Sequence, residues 1–169
     1  MSGWRQARAI ALLPGNVTIV VPAVILVVTS GPELGWGLGG LPGALVVAVG
    51  IALIVVGFSL WLWTVRLFSR IGKGTLAAWD PTSRLVVEGP YSRARNPMIT
   101  AVVVLLVGEA LLLGSPWVLV WAGVFLAINF IYFLRFEEPS LERRFGEQYR
   151  AYKRAVPRWI PRLDPWRPD

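Results

Sequence analysis

Gly-Pro-Tyr-Ser-Arg-Ala-Arg-Asn-Pro, residues 89–97, is a compact polar stretch between two apolar halves of the chain. Proline fixes φ, lacks a backbone N–H and disfavours a helical conformation in the residue before it, so Pro97 is suited to begin a helix that excludes Asn96. The stretch therefore predicts a polar turn immediately before an apolar helix. Such a turn can direct backbone N–H groups and arginines toward a polar ligand.

The composition is that of an integral membrane protein. The 169 residues correspond to about one domain, and 55% of them are hydrophobic while only 16% are charged. The chain has no cysteine and no histidine. These two absences exclude disulfides, thiolate catalysis and histidine general bases, and we expect no metal site.

Four apolar segments are long enough, or nearly so, to cross a bilayer. They are Ala9–Thr29, Gly43–Thr64 and the two halves of Met98–Leu134, which Gly114-Ser115-Pro116 divides by a tight turn. Trp61 and Trp63 end the second segment, as expected of an interfacial aromatic belt. The first segment also has the features of a secretory signal peptide, although the second segment close behind it favours a transmembrane hairpin.

The distribution of Lys and Arg predicts the topology. These residues number 2 before the first segment, 0 in the following loop, 6 in the connector up to Asn96, 0 in the tight turn and 9 from Arg135 onward. Basic segments mark the cytoplasmic side, so we expect four spans with both termini in the cytoplasm. The net charge of +7 then faces anionic lipid, and nothing in the pattern indicates a nucleic-acid-binding module.

The C-terminal part changes character. From Pro139 to Ala155 one helical face carries apolar and tyrosine side chains, at positions Leu141, Phe145, Tyr149, Tyr152 and Val156. This predicts an amphipathic helix that lies on the membrane surface or packs on the connector. The expected fold is all-α, with four transmembrane helices and this helix, organised as an N-terminal hairpin (1–64) and a core (65–169).

Acidic residues mark possible polar sites. Glu137 and Glu138 follow the fourth apolar segment, at what the sequence predicts to be a helix exit. Adjacent residues point about 100° apart, so the pair either forms a pocket with the arginine-bearing turn or makes salt bridges with Arg135, Arg143 or Arg144. Glu109 is the only ionisable residue inside an apolar segment. It is either functional or lies in the outer interfacial region near Gly114.

Several motifs occur in one order along about Gly72 to Leu163: Gly89-Pro90-Tyr91, Arg95-Asn96-Pro97-Met98, two spans, Glu137-Glu138, Phe145-Gly146, Tyr149, Tyr152 and Val156-Pro157-Arg158. This order resembles the isoprenylcysteine carboxyl methyltransferases and the related phospholipid methyltransferases, which are integral membrane enzymes that use S-adenosylmethionine. The chain departs from the family pattern at three positions. Asn96 replaces the family's His, Ile99 its Tyr and Ala101 its Gly.

The resemblance implies a site on the cytoplasmic side of a bacterial or archaeal membrane. Its implied cofactor-binding residues are Tyr91, Arg95, Asn96, Pro97, Glu137 and Glu138, and its implied catalytic residues are Arg95 and Glu138. The implied reaction transfers a methyl group from S-adenosylmethionine to a lipid or lipid-anchored acceptor, most simply a carboxylate. A carboxylate is already a nucleophile, so alignment and exclusion of water suffice without a histidine base. N-methylation of an amine headgroup and a non-catalytic scaffold are the alternatives.

Overall fold

A computed structural model describes residues 11–29, 31–72 and 84–167 of the chain. In this part of the protein all regular structure is helical, which confirms the all-α prediction. We label the α-helices α1 to α5: Val21–Val28, Gly40–Leu67, Pro97–Leu113, Pro116–Tyr132 and Glu138–Ala155. Wider π-helical turns occupy Ala11–Val20, Phe68–Gly72 and Phe133–Glu137, and short 3₁₀ turns occupy Leu34–Gly37 and Gly89–Ser92. The sequence also predicts a turn at Asp80-Pro81, which lies outside the described residues.

Two helices among the described residues are long and apolar enough to cross a membrane. They are Gly40–Leu67 and the continuous helix from Pro116 to Ala155, whose apolar part comes first. Gly15–Val28 and Pro97–Leu113 are apolar but shorter, and 17 residues of α3 extend about 25 Å against a hydrocarbon core of about 30 Å. Four apolar helical segments thus occur where the sequence predicts them, while the four-span topology stays a prediction.

Helices α2 and α3 pack antiparallel at very close range. A Cβ on Gly57 would lie 2.8 Å from the backbone N of Leu105, and one on Gly50 would lie 2.8 Å from the backbone N of Leu112. A Cβ on Gly108 of α3 would lie 2.8 Å from the carbonyl oxygen of Gly50. Small residues are what allows membrane helices to approach in this way. This contact also encloses Ala101, which is fully buried beside Gly57.

The tight turn between α3 and α4 is confirmed. Gly114 has φ +61°, a conformation that favours glycine at a helix C-terminus, and Ser115 caps α4 by accepting a hydrogen bond from the N–H of Val118 at 3.4 Å. Consecutive helices therefore run in opposite directions. One end of the protein, which we call the basic end, gathers the C-terminus of α2, the loop 84–96, the C-terminus of α4 and the chain beyond it.

The helix does not end at Glu137-Glu138, so the predicted helix exit is wrong. The backbone stays helical from α4 into α5 through the π-helical turn Phe133–Glu137. Pro139 has no N–H for the carbonyl of Arg135, and its ring would crowd that carbonyl in a regular α-helix. The wider turn directly before Pro139 relieves this conflict, which is the usual role of a π-bulge.

Helix α5 packs on the connector, and its predicted face is confirmed. Tyr149, Tyr152 and Val156 are buried together, and partly buried neighbours surround them: Leu85, Val87, Leu141, Phe145, Ala155 and Trp166. Gly146 interrupts the helix with φ +53° and ψ −127°, a backbone conformation open mainly to glycine. Of the two placements that the sequence allows, the structure therefore has the helix against the connector residues Leu85 and Val87.

Candidate functional site

The C-terminal segment lies alongside the loop that precedes α3. The N–H of Arg95 donates to the carbonyl of Pro157 at 2.9 Å, and the N–H of Asn96 donates to that of Arg158 at 3.2 Å. Further along, the N–H of Trp166 donates to the carbonyl of Ser92 at 2.9 Å. These backbone bonds place the end of the chain against residues 92–96, so Arg158 lies beside the predicted site.

The carboxylate of Glu138 is the centre of a cluster of cations. Its Oε1 accepts hydrogen bonds from Nη1 of Arg95 and from Nε of Arg158, both at 2.8 Å, and its Oε2 accepts from Nη2 of Arg158 at 3.1 Å. Nζ of Lys153 is 3.4 Å from Oε2. Burial raises the pKa of Glu138, but the hydrogen bond from Arg158 and the charges of Arg95, Arg158 and Lys153 outweigh it, so the pKa lies below its ordinary value.

These partners differ from those that the sequence suggests. The salt-bridge interpretation pairs the two glutamates with Arg135, Arg143 or Arg144, whereas the recorded salt bridges of Glu138 go to Arg95, Lys153 and Arg158. The interpretation is therefore wrong about the partners of Glu138. The contact between Arg95 and Glu138 instead agrees with the other interpretation, in which the glutamates meet the arginine-bearing turn.

Glu137 has a different environment from its neighbour. Burial raises the pKa of Glu137, and the positive charge of Arg144 only partly counters this. The negative charge of Glu137 in turn contributes to the raised pKa values of Tyr91 and Tyr149, after the larger effect of burial. Glu137 therefore lies near Tyr91 of the predicted loop. Its carboxylate is more easily protonated than that of Glu138.

Two adjacent residues of the loop carry buried donors without a partner among the described residues. They are Nε of Arg95 and Nδ2 of Asn96, and Asn96 is only 4% exposed. An unsatisfied buried donor costs about 1–3 kcal/mol, so such groups call for an explanation. Both donors suit an acceptor such as a carboxylate or a hydroxyl of a bound molecule.

Two further predicted residues, Tyr91 and Pro97, hold the loop in place through their packing. Tyr91 is buried, packs against the ring of Phe68 with 5.5 Å between centroids, and accepts at its carbonyl a 2.7 Å hydrogen bond from the hydroxyl of Tyr152. Pro97 begins α3, as predicted from its missing N–H, and it is also buried. These two residues fix the loop from which Arg95 and Asn96 project.

Sequence reasoning missed three members of the cluster: Tyr149, Lys153 and Arg158. Burial and the charge of Glu138 raise the pKa of Tyr149 to about 12, although the neighbouring Arg95 opposes the shift, so this hydroxyl keeps its proton. The motif Val156-Pro157-Arg158 was visible in the sequence. Its signal was a proline that ends α5 and an arginine directly after it, but nothing in that pattern names Glu138 as the partner.

Glu109 stays apart from this cluster. It lies in α3, five residues before Gly114 and so toward the end opposite the basic end, and its Oε2 is buried without a hydrogen-bond partner among the described residues. Among those same residues, no group of three His, Cys, Asp or Glu side chains could hold a metal ion.

Comparisons with known proteins identify similar sequences. The family model described as phospholipid methyltransferase matches residues 45–148, which include α3, α4, the loop with Arg95 and Asn96, and both glutamates. An uncharacterized protein of Haemophilus influenzae is 39% identical over 66 residues, covering 37% of this chain and all of that protein. No solved structure matches the chain.

Proposed function

The chain belongs to the phospholipid methyltransferase family, a family of membrane methyltransferases, and we propose that it transfers a methyl group from S-adenosylmethionine to a lipid-borne or small apolar acceptor. The observation that carries this proposal is the pair of buried, unpartnered donors on Arg95 and Asn96, beside a loop that Glu137 approaches. Donors and a carboxylate at one place suit a zwitterionic amino acid moiety.

The residues present fit this cofactor. Nε of Arg95 and Nδ2 of Asn96 would bind a carboxylate, and Glu137 would accept hydrogen bonds from the ammonium group or from the ribose hydroxyls. When bound, the cofactor supplies a methyl group activated by a positive sulfur. Glu138 has a positioning role in this proposal, because its oxygens already accept bonds from Arg95 and Arg158.

The protein's own contribution is binding and alignment. Asn96 and Pro97 start α3 where the chain turns from polar to apolar, so the cofactor would lie at the depth where a lipid headgroup ends. A carboxylate acceptor held there by an arginine needs no general base, which agrees with a chain that lacks histidine. We further propose that the basic end faces the cytoplasm, since Arg and Lys concentrate there.

One observation favours a second reaction. The raised pKa of Glu137 makes this carboxylate a better proton acceptor than an exposed glutamate. An amine headgroup must lose a proton before it can attack, and Glu137 could take that proton. N-methylation of an amine lipid is therefore the second candidate.

A labelling experiment separates these candidates. Membranes that contain the protein are incubated with methyl-labelled S-adenosylmethionine, and the labelled product is extracted and treated with mild base. A methyl ester releases labelled methanol, which supports the carboxylate, whereas an N-methyl product keeps its label. Membranes with the double variant Asn96→Ala, Glu137→Gln serve as the control. Equal labelling in both membrane preparations would contradict the proposed methyl transfer.

A further inference from the structure

A cavity borders the loop that carries Arg95 and Asn96. Its volume is about 690 Å³, within the range of about 300–1,000 Å³ typical of small-molecule sites. Of the six residues that the resemblance implies, only Pro97 lines it. The main apolar lining consists of Leu60, Trp63, Pro97, Trp159, Pro161 and Trp166. The cavity is therefore distinct from the proposed cofactor site.

The position of this cavity is that of a lipid at the membrane boundary. Leu60 and Trp63 belong to the last turns of α2, one of the two helices long enough to cross a membrane, and Trp63 is 53% exposed. Thr100 and Pro97 contribute the first turn of α3. Tryptophan prefers the zone where hydrocarbon meets headgroups, because its ring is apolar and its N–H is polar. One wall of the cavity thus faces lipid chains.

The other wall is polar and carries a net positive charge. Arg93, Arg167 and Glu88 line it. Nη1 of Arg93 donates to the carbonyls of Arg162 and Leu163, so the backbone of the C-terminal segment holds this guanidinium in place. A basic pocket between membrane helices is the usual binding site of an anionic lipid headgroup.

We propose that this cavity binds one anionic phospholipid. Its phosphate lies at Arg93 and Arg167, and the beginning of an acyl chain lies between Leu60, Trp63 and Trp159. The proposal does not depend on the methyl transfer, since the cavity shares no polar group with the proposed cofactor site.

The bound lipid supports the loop that carries Arg95 and Asn96. Ala94 and Pro97, on either side of Arg95-Asn96, line the cavity, and Trp159 lies next to the Glu138 partner Arg158. An occupied cavity therefore holds three segments in place: the loop, the start of α3 and the C-terminal segment. Binding to the folded state raises its stability.

The test titrates the purified full-length protein in detergent with phosphatidylglycerol or phosphatidylcholine that carries brominated chains. Quenching of tryptophan fluorescence reports binding, and the melting temperature reports stabilisation. We expect phosphatidylglycerol to half-saturate at a concentration about tenfold below that of phosphatidylcholine and to raise the melting temperature. Inorganic phosphate at the same concentration should not compete. Equal binding of the two lipids, or competition by phosphate, would overturn the proposal.

Matched variants locate the binding. Arg167→Gln should weaken phosphatidylglycerol binding about fivefold, whereas Arg143→Gln removes the same charge from an exposed position outside the cavity and should not. Trp63→Leu should weaken it similarly, whereas Trp117→Leu removes an equally exposed ring at the opposite end. If Trp63→Leu does not fold, the two arginine variants decide. Indistinguishable titrations of Arg167→Gln and Arg143→Gln would place the lipid elsewhere and refute the site.

Discussion

Arg158 binds Glu138 through two parallel hydrogen bonds, Nε to Oε1 at 2.8 Å and Nη2 to Oε2 at 3.1 Å. The same carboxylate accepts from Arg95 at 2.8 Å. The side chains of Glu138 and Arg95 are only 5% and 10% exposed, so this is a buried cluster in which the carboxylate compensates two guanidinium groups. It joins the loop before α3 to the chain after α5.

Removing the charge of Glu138 should therefore destabilise the protein. Glu138→Gln leaves Arg95 and Arg158 without their common anion, and breaking a buried pair in this way costs about 3–5 kcal/mol. We expect a lower melting temperature for the detergent-purified variant, followed by circular dichroism. Glu147→Gln is the matched control, because Glu147 bonds to Arg150 and Arg154 on an exposed face and should leave the melting temperature unchanged. Equal melting temperatures of both variants would show that the cluster does not stabilise the fold.

Replacing glycine by alanine should destabilise the protein within the close contact of α2 and α3, but not at an open position of α4. Gly57→Ala places a methyl group 2.8 Å from the N of Leu105 and forces the helices apart, at a cost of about 1–3 kcal/mol. Gly123→Ala, in α4, meets nothing within 4 Å and should be neutral or slightly stabilising, because alanine favours helix by about 1 kcal/mol over glycine. The melting temperatures of the two variants measure the difference. If Gly57→Ala melts no lower than Gly123→Ala, the two backbones are farther apart than described.

The elements that the sequence predicts well are those with local signals. Pro97, Gly114 and Pro116 bound α3 and α4 because each restricts its own backbone, and the spacing of Tyr149 and Tyr152 reveals the buried face of α5. The contact between Gly57 and Ala101 has no such signal, since a helix that is apolar on every side does not show which face meets a neighbour.

The cluster around Glu138 could be predicted only in part. The predicted topology places Arg95 and the glutamate pair on the same side, where they can meet, but it does not pair Arg95 with Glu138. Arg158 reaches Glu138 because Gly146 redirects α5 and Pro157 ends it. The course of the chain from α5 back to Glu138 depends on tertiary contacts, which a local sequence pattern does not show. The continuation of the helix through Glu137 was missed for a related reason, because a π-helical turn allows Pro139 to follow without a break.

The cofactor proposal predicts losses of affinity at two positions. Asn96→Ala and Glu137→Gln should each weaken binding of S-adenosylhomocysteine at least about tenfold, or about 1.4 kcal/mol, since each removes one partner of the cofactor. Isothermal titration calorimetry on detergent-purified protein measures this. Gln148→Ala changes an exposed residue of α5 and serves as the control variant, which should bind the cofactor product as the wild-type protein does. Unchanged affinity in both site variants, with the melting temperature preserved, would mean that the cofactor binds elsewhere.

The distribution of basic residues predicts the orientation of the protein. A reporter fused at Gly37, in the loop before α2, should report the outer side, and a reporter fused after the last residue should report the cytoplasm. A phosphatase that is active only outside and a fluorescent protein that folds only inside give complementary readouts. Finding both positions on the same side would rule out the four-span arrangement.

Arg95 offers the sharpest test of the site. Its Nη1 bonds to Glu138 while its Nε is buried without a partner among the described residues, so one guanidinium can hold the cluster together and still donate to a ligand. Lysine carries the charge but cannot donate in two fixed directions at once. We expect Arg95→Lys to lower turnover by one to two orders of magnitude, or about 1.4–2.8 kcal/mol. Affinity for the cofactor should fall as well if Nε holds the cofactor's carboxylate, and should change little if Nε holds the acceptor's carboxylate instead.

Measuring turnover and cofactor affinity on the same preparation distinguishes the roles of Arg95. A parallel loss of both would assign Nε to the cofactor's own carboxylate. Loss of turnover alone would assign it to the acceptor. Arg143→Lys provides the comparison, because Arg143 is exposed on α5 and belongs to neither proposed site. Wild-type turnover in Arg95→Lys would remove Arg95 from the site, since a residue that only marks the basic end works equally well as lysine.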